Sequence, residues 1–126
     1  MKKITGSINS ILLTVYVPET LGEFKEGARL LSNGLDREEG ILFNFGKKQS
    51  IQMENGGVDI DLRVLYFNKF SKCGIVQEAQ TMKANTYGPY QSTGVYSQCL
   101  ELSEEFCEKF NIKEGAVLIL HKVLDA

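Results

Sequence analysis

Short apolar runs alternate with turn residues along the chain, and the period of each run indicates the element it forms. "SILLTVYV" at 10–17 sets Ile11, Leu13, Val15 and Val17 against Leu12, Thr14 and Tyr16. That period of two predicts a strand, and apolar residues on both faces place it well inside a sheet. Pro18, which has no amide to donate to a ladder, ends it. In "TLGEFKEGARLL" the period changes. Thr20 can accept from the Glu23 amide while the Glu23 carboxylate reaches back, the reciprocal arrangement of a capping box. Phe24, Ala28 and Leu31 follow at helical spacing, with Asn33-Gly34 as a left-handed stop.

From Ile41 the strand pattern returns in "ILFNF", "QSIQM", "IDLRVLYF" and "CGIVQEA", then in "VYSQCLEL" at 95–102 and "AVLILHKV" at 116–123. The connectors at Gly46, Gly56-Gly57 and "NKFSK" are short, which favours antiparallel neighbours. Ser103 reads as the N-cap of a helical turn or two, with Glu104 and Glu105 at its positive end and Asn111 closing it. Leu102 and Cys107 stand at staple spacing across that cap. About seven strands and two short helices predict one mainly-β domain over residues 1–126, an antiparallel β-sandwich or partly closed barrel. Its core is predicted at Ile11, Leu13, Val15, Leu42, Phe43, Leu62, Val64, Leu100 and Leu118. One connection breaks the rule of tight turns. "QTMKANTYGPYQSTG" at 80–94 has no clear period, and Tyr87 and Tyr90 flank its Gly88-Pro89. It is either a crossover pinned by two rings or a binding loop.

Composition narrows the classes. A chain of 126 residues with 43% hydrophobic content can bury a core without staples. Its 14 basic and 16 acidic residues form no basic stripe, so no nucleic-acid partner is expected. No apolar run approaches the roughly 20 residues of a spanning helix, so no membrane partner is expected either. "MKKITGSINS" turns polar after its lysines and no small-residue cleavage site follows Val17, unlike a secretory leader. Three cysteines without a C-x-x-C make a poor disulfide framework, which points to reduced thiols and a cytoplasmic location.

Candidate chemistry gathers at the bend in "SIQMENGGVDIDLRVLYF", residues 50–67. Asp59 and Asp61 share a strand face and Glu54 can return across Gly56-Gly57; oxygen ligands would suit calcium or magnesium, but the dense calcium-loop spacing is missing and no metal is assigned. Asp61, between Ile60 and Leu62, is expected to be buried and to accept backbone amides that pin the bend. Asn55 suits left-handed turn geometry beside Gly56. Glu101 has the strand parity of Cys99 and Ser97, which leaves solvent and pocket both open. His121, the only histidine, has no cysteine partner in the pattern, and there is no phosphate loop, nucleophile elbow or H-E-x-x-H. No catalytic residue and no cofactor is therefore assigned. The ligand-binding candidates are Glu54, Asn55, Asp59, Asp61, Tyr87, Tyr90 and Glu101.

Three blocks between Glu23 and Gly115 resemble domain-of-unknown-function family 192. "EFKEGARLLSNGLDREEGILFNF" keeps the spacing of Leu35, Gly40, Leu42, Phe43 and Phe45; the bend keeps Met53, Asn55 and Asp61; "QCLELSEEFCEKFNIKEG" keeps Leu100, Glu101, Ile112 and Gly115. Gln52, Glu54, Gly56 and Asp59 stand where the family has Trp, Lys, Thr and Pro, so the bend has become acidic and the chain is a divergent member. The resemblance implies a sandwich-like β fold and no reaction. The functional expectation is a non-catalytic module binding a small ligand or a protein. The alternatives are metal-assisted hydrolysis by Glu54, Asp59 and Asp61, and a structural homodimer formed through an uncovered sheet edge.

Overall fold

The computed structural model describes the backbone of residues 1–30 and 38–124, and the side chains of all of these but 29 and 30. Leu31, Asn33-Gly34 and Leu35 lie outside the described residues. In chain order the elements are β1 (Lys2–Ile8), β2 (Ile11–Val17), α1 (Leu21–Glu26), a 3-10 turn (Gly27–Leu30), β3 (Glu39–Gln49), β4 (Gln52–Met53), β5 (Leu62–Phe67), β6 (Cys73–Met82), β7 (Tyr90–Gln91), β8 (Tyr96–Ser103), α2 (Glu104–Phe110) and β9 (Val117–Leu120). Seven strands close a barrel in the order β1-β2-β3-β8-β5-β6-β9, and β4 and β7 form a separate two-stranded ribbon.

The mainly-β class with two short helices is as the sequence predicts, with three differences. First, the barrel is fully closed, neither a sandwich nor only partly closed. Second, β2 pairs with β3 in parallel, Val15 opposite Gly40, while the other pairs are antiparallel. Parallel neighbours need a crossover of about a dozen residues or more, and the stretch holding α1 supplies it. Third, β1 is a strand in what reads as a polar start. Its inward residues are Ile4, Gly6 and Ile8, and the glycine hides the alternation. A Cβ on Gly6 would lie 2.6 Å from the Ile119 carbonyl oxygen, so the close approach of β9 requires glycine there. Asn9 and Ser10, with φ of 47° and 70°, make the tight turn into β2. "QSIQM" contributes only β4, in the ribbon.

The caps form as the sequence predicts. Thr20 Oγ1 accepts from the Glu23 amide at 3.2 Å and Glu23 Oε1 accepts from the Thr20 amide at 3.2 Å. α1 nevertheless ends at Glu26, short of Leu31, because Gly27 adopts φ +50° and turns the chain. Ser103 caps α2, and Asn111 ends it in the left-handed conformation.

Two apolar layers result. Leu13, Val15, Leu42, Leu65, Phe67, Leu100 and Leu118 fill the barrel interior, joined by Phe106 and Cys107 of α2. On the outer face of β3, β8 and β5 a second cluster forms from Ile41, Phe43, Val64, Tyr66 and Cys99, with Ala28, Ile51 and Val58 packed over them. Strand alternation therefore sends β3, β8 and β5 residues into one layer or the other, and these strands are covered on both faces. Among the described residues the opposite side of the barrel has no such cover: Leu12 is 64% exposed and Ile75 53%. Apolar residues on both faces of β2 thus do not mark a strand enclosed on both sides. The predicted core residues are buried apart from Ile11, half-buried at the start of β2. All three cysteines are free thiols, Cys73 exposed and Cys99 and Cys107 buried.

Candidate functional site

Between β4 and β5 the chain turns through Gly57, at φ +74°, and the long connection after β6 lies along this bend. The Asn55 amide donates to the Thr86 carbonyl at 2.8 Å and the Asn85 amide to the Val58 carbonyl at 2.9 Å. Asn85 Nδ2 donates to Asp59 at 3.1 Å. Asp61 Oδ1 accepts the Ala84 amide at 2.8 Å, and Lys83 Nζ is 3.4 Å from Oδ2. The Ala84 amide, and after it the Lys83 charge, hold the Asp61 carboxyl below its usual range. Asp61 is not buried as expected; its side chain is 38% exposed, because β5 begins only at Leu62. The Tyr87 ring lies against Gly56, where a Cβ would overlap the ring. The Tyr90 hydroxyl accepts the Lys83 amide at 3.2 Å and is 2.7 Å from Thr86 Oγ1. Asp59, Asp61 and Tyr87 thereby fasten loop to bend, while the Tyr90 hydroxyl braces the loop itself.

Asn55 is 1% exposed. Its Nδ2 donates to the carbonyls of Ile60 at 2.9 Å and Lys83 at 3.1 Å, which fixes the orientation of the amide, since the flipped form would set oxygen against oxygen. Oδ1 then has no donor among the described residues. A buried acceptor in that state is unusual. The backbone of Asn55 is not left-handed; Gly57 takes that geometry, and Asn55 works through its side chain.

Asn55 lines a cavity of about 200 Å³ that lies between the bend, α1 and the outer face of the barrel. Phe24, Gly27 and Ala28 form one wall, Phe43, Met53 and Val58 the apolar remainder, and Glu101 shares the lining with Asn55. Phe24 and Phe43 meet ring to ring, their centroids 5.9 Å apart and their planes at 60°. Glu101 is 3% exposed although it is a carboxylate. On β8 it stands between Ile41 of β3 and Val64 of β5, both fully buried. Burial and then the Glu101 charge push the Cys99 thiol well up. A Cβ on Gly27 would lie 3.3 Å from the Phe43 ring and 4.0 Å from Glu101 Oε1, so the helical wall approaches Glu101 where residue 27 has no side chain. Lys25, Glu26 and Gln52 are the exposed members of the lining and Glu54 is half-buried.

Of the sequence candidates, Glu54, Asn55 and Glu101 therefore meet at one cavity, whereas Asp59, Asp61, Tyr87 and Tyr90 do not line it. No group of three or more His, Cys, Asp or Glu side chains among the described residues is placed to hold a metal ion. Phe24, Gly27 and Met53 were not legible as site residues. Phe43 was assigned to the core, and only the second layer makes it a wall as well.

The described residues thus form a closed, mixed seven-stranded β barrel with a helix-walled cavity on its covered face. The chain belongs to domain-of-unknown-function family 192, described as "Uncharacterized ACR", whose profile matches residues 9–120. No curated protein matches it. Two solved structures share the fold. One, described as "a putative transcription regulator" from Sinorhizobium meliloti 1021, superposes with a TM-score of 0.76 at 16% identity, covering 94% of this chain and 92% of the other. A protein of unknown function from Novosphingobium aromaticivorans DSM 12444 gives 0.71 at 17% identity, covering 92% and 82%. No helix among the described residues is long and apolar enough to cross a membrane.

Proposed function

We propose that the chain is a non-catalytic module that holds a small organic ligand in the cavity walled by Phe24, Phe43, Asn55 and Glu101. The observation that carries this is Asn55 Oδ1, a buried acceptor without a donor on a cavity wall. An N–H or O–H of a ligand supplies the missing bond at the site that needs it. An apolar cavity of roughly 150 Å³ takes benzene, so about 200 Å³ admits a body of that size with a short polar arm. The three free cysteines support a cytoplasmic module. The neighbour described as a transcription regulator lends no nucleic-acid role here: 16% identity carries the fold alone, and this chain's net charge is −2.

The test is a titration of ¹⁵N-labelled protein with fragments of six to ten non-hydrogen atoms that carry one donor. Binding should move the Asn55 side-chain NH₂ and the Gly27 amide together, and Asn55→Ala should weaken it about tenfold, the worth of one buried hydrogen bond. Shifts confined to the exposed face of β1, β2, β6 and β9 would refute the assignment.

A further inference from the structure

We propose that Asn55-Gly56 is a site of spontaneous covalent modification, a deamidation that residues 83–87 hold in check while they lie on the bend. The chemistry needs only water. The Gly56 backbone nitrogen, having given up its proton, attacks Cγ of Asn55. The new N–C bond closes a cyclic imide, the Cγ–Nδ2 bond breaks, and Nδ2 leaves as ammonia. Water then opens the imide at either carbonyl and gives aspartate or isoaspartate. Glycine after the asparagine favours the attack, because no Cβ shields the nitrogen and the backbone turns freely.

The closed bend opposes each step. Nδ2, the leaving group, donates to the Ile60 carbonyl at 2.9 Å and the Lys83 carbonyl at 3.1 Å, which ties the carboxamide down. The attacking nitrogen is held as well: the Gly56 amide donates to Glu54 Oε2 at 3.3 Å, and a hydrogen bond made by the protonated form disfavours loss of that proton. The Tyr87 ring lies against Gly56, and the Asn55 amide donates to the Thr86 carbonyl at 2.8 Å, so the backbone that must rotate is fixed. Asn55 is 1% exposed, which keeps water from the second step.

The contacts from Lys83, Thr86 and Tyr87 all come from one short stretch outside the barrel ladders. Lys83 is exposed and Tyr87 is 72% exposed. Lifting that stretch frees the leaving group and the backbone and admits water, at a lower cost than unfolding the barrel. Once modified, the bend does not close again in the same way, because a carboxylate in place of Nδ2 meets the Ile60 and Lys83 carbonyls, acceptor against acceptor. Deamidation is therefore a ratchet that fixes open a segment which otherwise recloses, and it alters the Asn55 wall of the cavity.

The whole chain is incubated at mildly alkaline pH in native buffer and in concentrated urea. Mass spectrometry of its peptides reads the change at Asn55, a gain of about one dalton, and separates it from the Asn-Gly pair at Asn33. In urea Asn55 should convert to a mixture of aspartate and isoaspartate. In native buffer it should convert about a hundredfold more slowly, the mark of a rare open state. Asp61→Ala, which removes the acceptor of the Ala84 amide, should raise the native rate about tenfold and leave the rate in urea unchanged. Ile8→Val, a small void in the barrel interior away from the bend, should leave the native rate unchanged. Should Asp61→Ala fail to fold, Tyr87→Ala takes its place, since it removes the ring over Gly56. No conversion of Asn55 in urea, a native rate equal to that in urea, or a loop variant no faster than wild type overturns the proposal. Acceleration by Ile8→Val as large as that by the loop variant overturns it too, because control then lies with unfolding of the barrel.

Discussion

The two polar ends of the Asn55 side chain fare differently. Nδ2 bonds the carbonyls of Ile60 and Lys83, and Oδ1 has no donor among the described residues. Asn55→Ala should therefore destabilise the fold by about 1–3 kcal/mol, because two part-buried carbonyls lose their donor. Asn55→Asp should cost more, since it turns a carboxylate oxygen toward the same carbonyls. Chemical denaturation of both variants measures this; Asn55→Asp as stable as wild type would show that Nδ2 is not the tie. The importance of Asn55 was legible in an amide set beside two glycines. The role of Glu101 was not, because strand parity says which residues share a face but is silent on whether another layer covers that face. Gly27 was hidden for a similar reason: its lack of a side chain matters only because Phe43 and Glu101 stand opposite.

At the scale of elements, carboxylates fasten segments that the ladders do not hold. Glu23 accepts the N-terminal ammonium at 2.7 Å and the Glu19 and Thr20 amides, and Glu78 accepts the amides of Thr93 and Gly94 and the Tyr96 hydroxyl. The ammonium first, then the Glu19 amide, holds the Glu23 carboxyl low. Burial alone would raise Glu78, but its donors together bring it down. Asp61 is lowered as well, chiefly by the Ala84 amide. A folded pKa below the unfolded one means that the unfolded chain binds protons first as pH falls, so these groups stabilise the fold above the ordinary carboxylate range. That contribution disappears as pH drops through the lowered values. The melting temperature should hold steady above about pH 5 and fall below about pH 4. Glu78→Gln should melt earlier than wild type at pH 7 and converge with it near pH 3. Equal separation at both pH values would mean that the charge of Glu78 contributes nothing. The helix caps were legible because each depends on residues three apart in the chain. The parallel pairing of β2 with β3 was not, since no local pattern states which way a strand returns after a crossover.

Across the whole molecule, cover is unequal around the barrel. β3, β8 and β5 lie between the interior cluster and the outer layer, while β1, β2, β6 and β9 turn residues such as Leu12, Ile75 and Ile119 to solvent. A strand enclosed on both faces usually reads as a continuous apolar run, and "LRVLYF" of β5 nearly does. β8 does not: it carries Ser97, Gln98, Glu101 and Ser103, all buried. The polar members have separate uses. Gln98 bonds the backbone of Phe70 in both directions at 3.0 Å, Ser103 caps α2, and Glu101 lines the cavity. The central strand of the covered side thus looks like a solvent-facing one in sequence. Its position predicts the order in which the barrel opens. Backbone amides can exchange through local opening where one face meets water, and only through global unfolding where both faces are packed. Native-state hydrogen exchange should therefore give β8 amides, such as Leu100, the full unfolding free energy, and β1 and β9 amides a lower one. Leu100→Ala, a void in the interior under a covered strand, should lower the β8 value by about 2–5 kcal/mol. Protection of β9 equal to that of β8, in wild type and variant alike, would show that the barrel opens as one unit and that the outer layer adds nothing local to the strands beneath it.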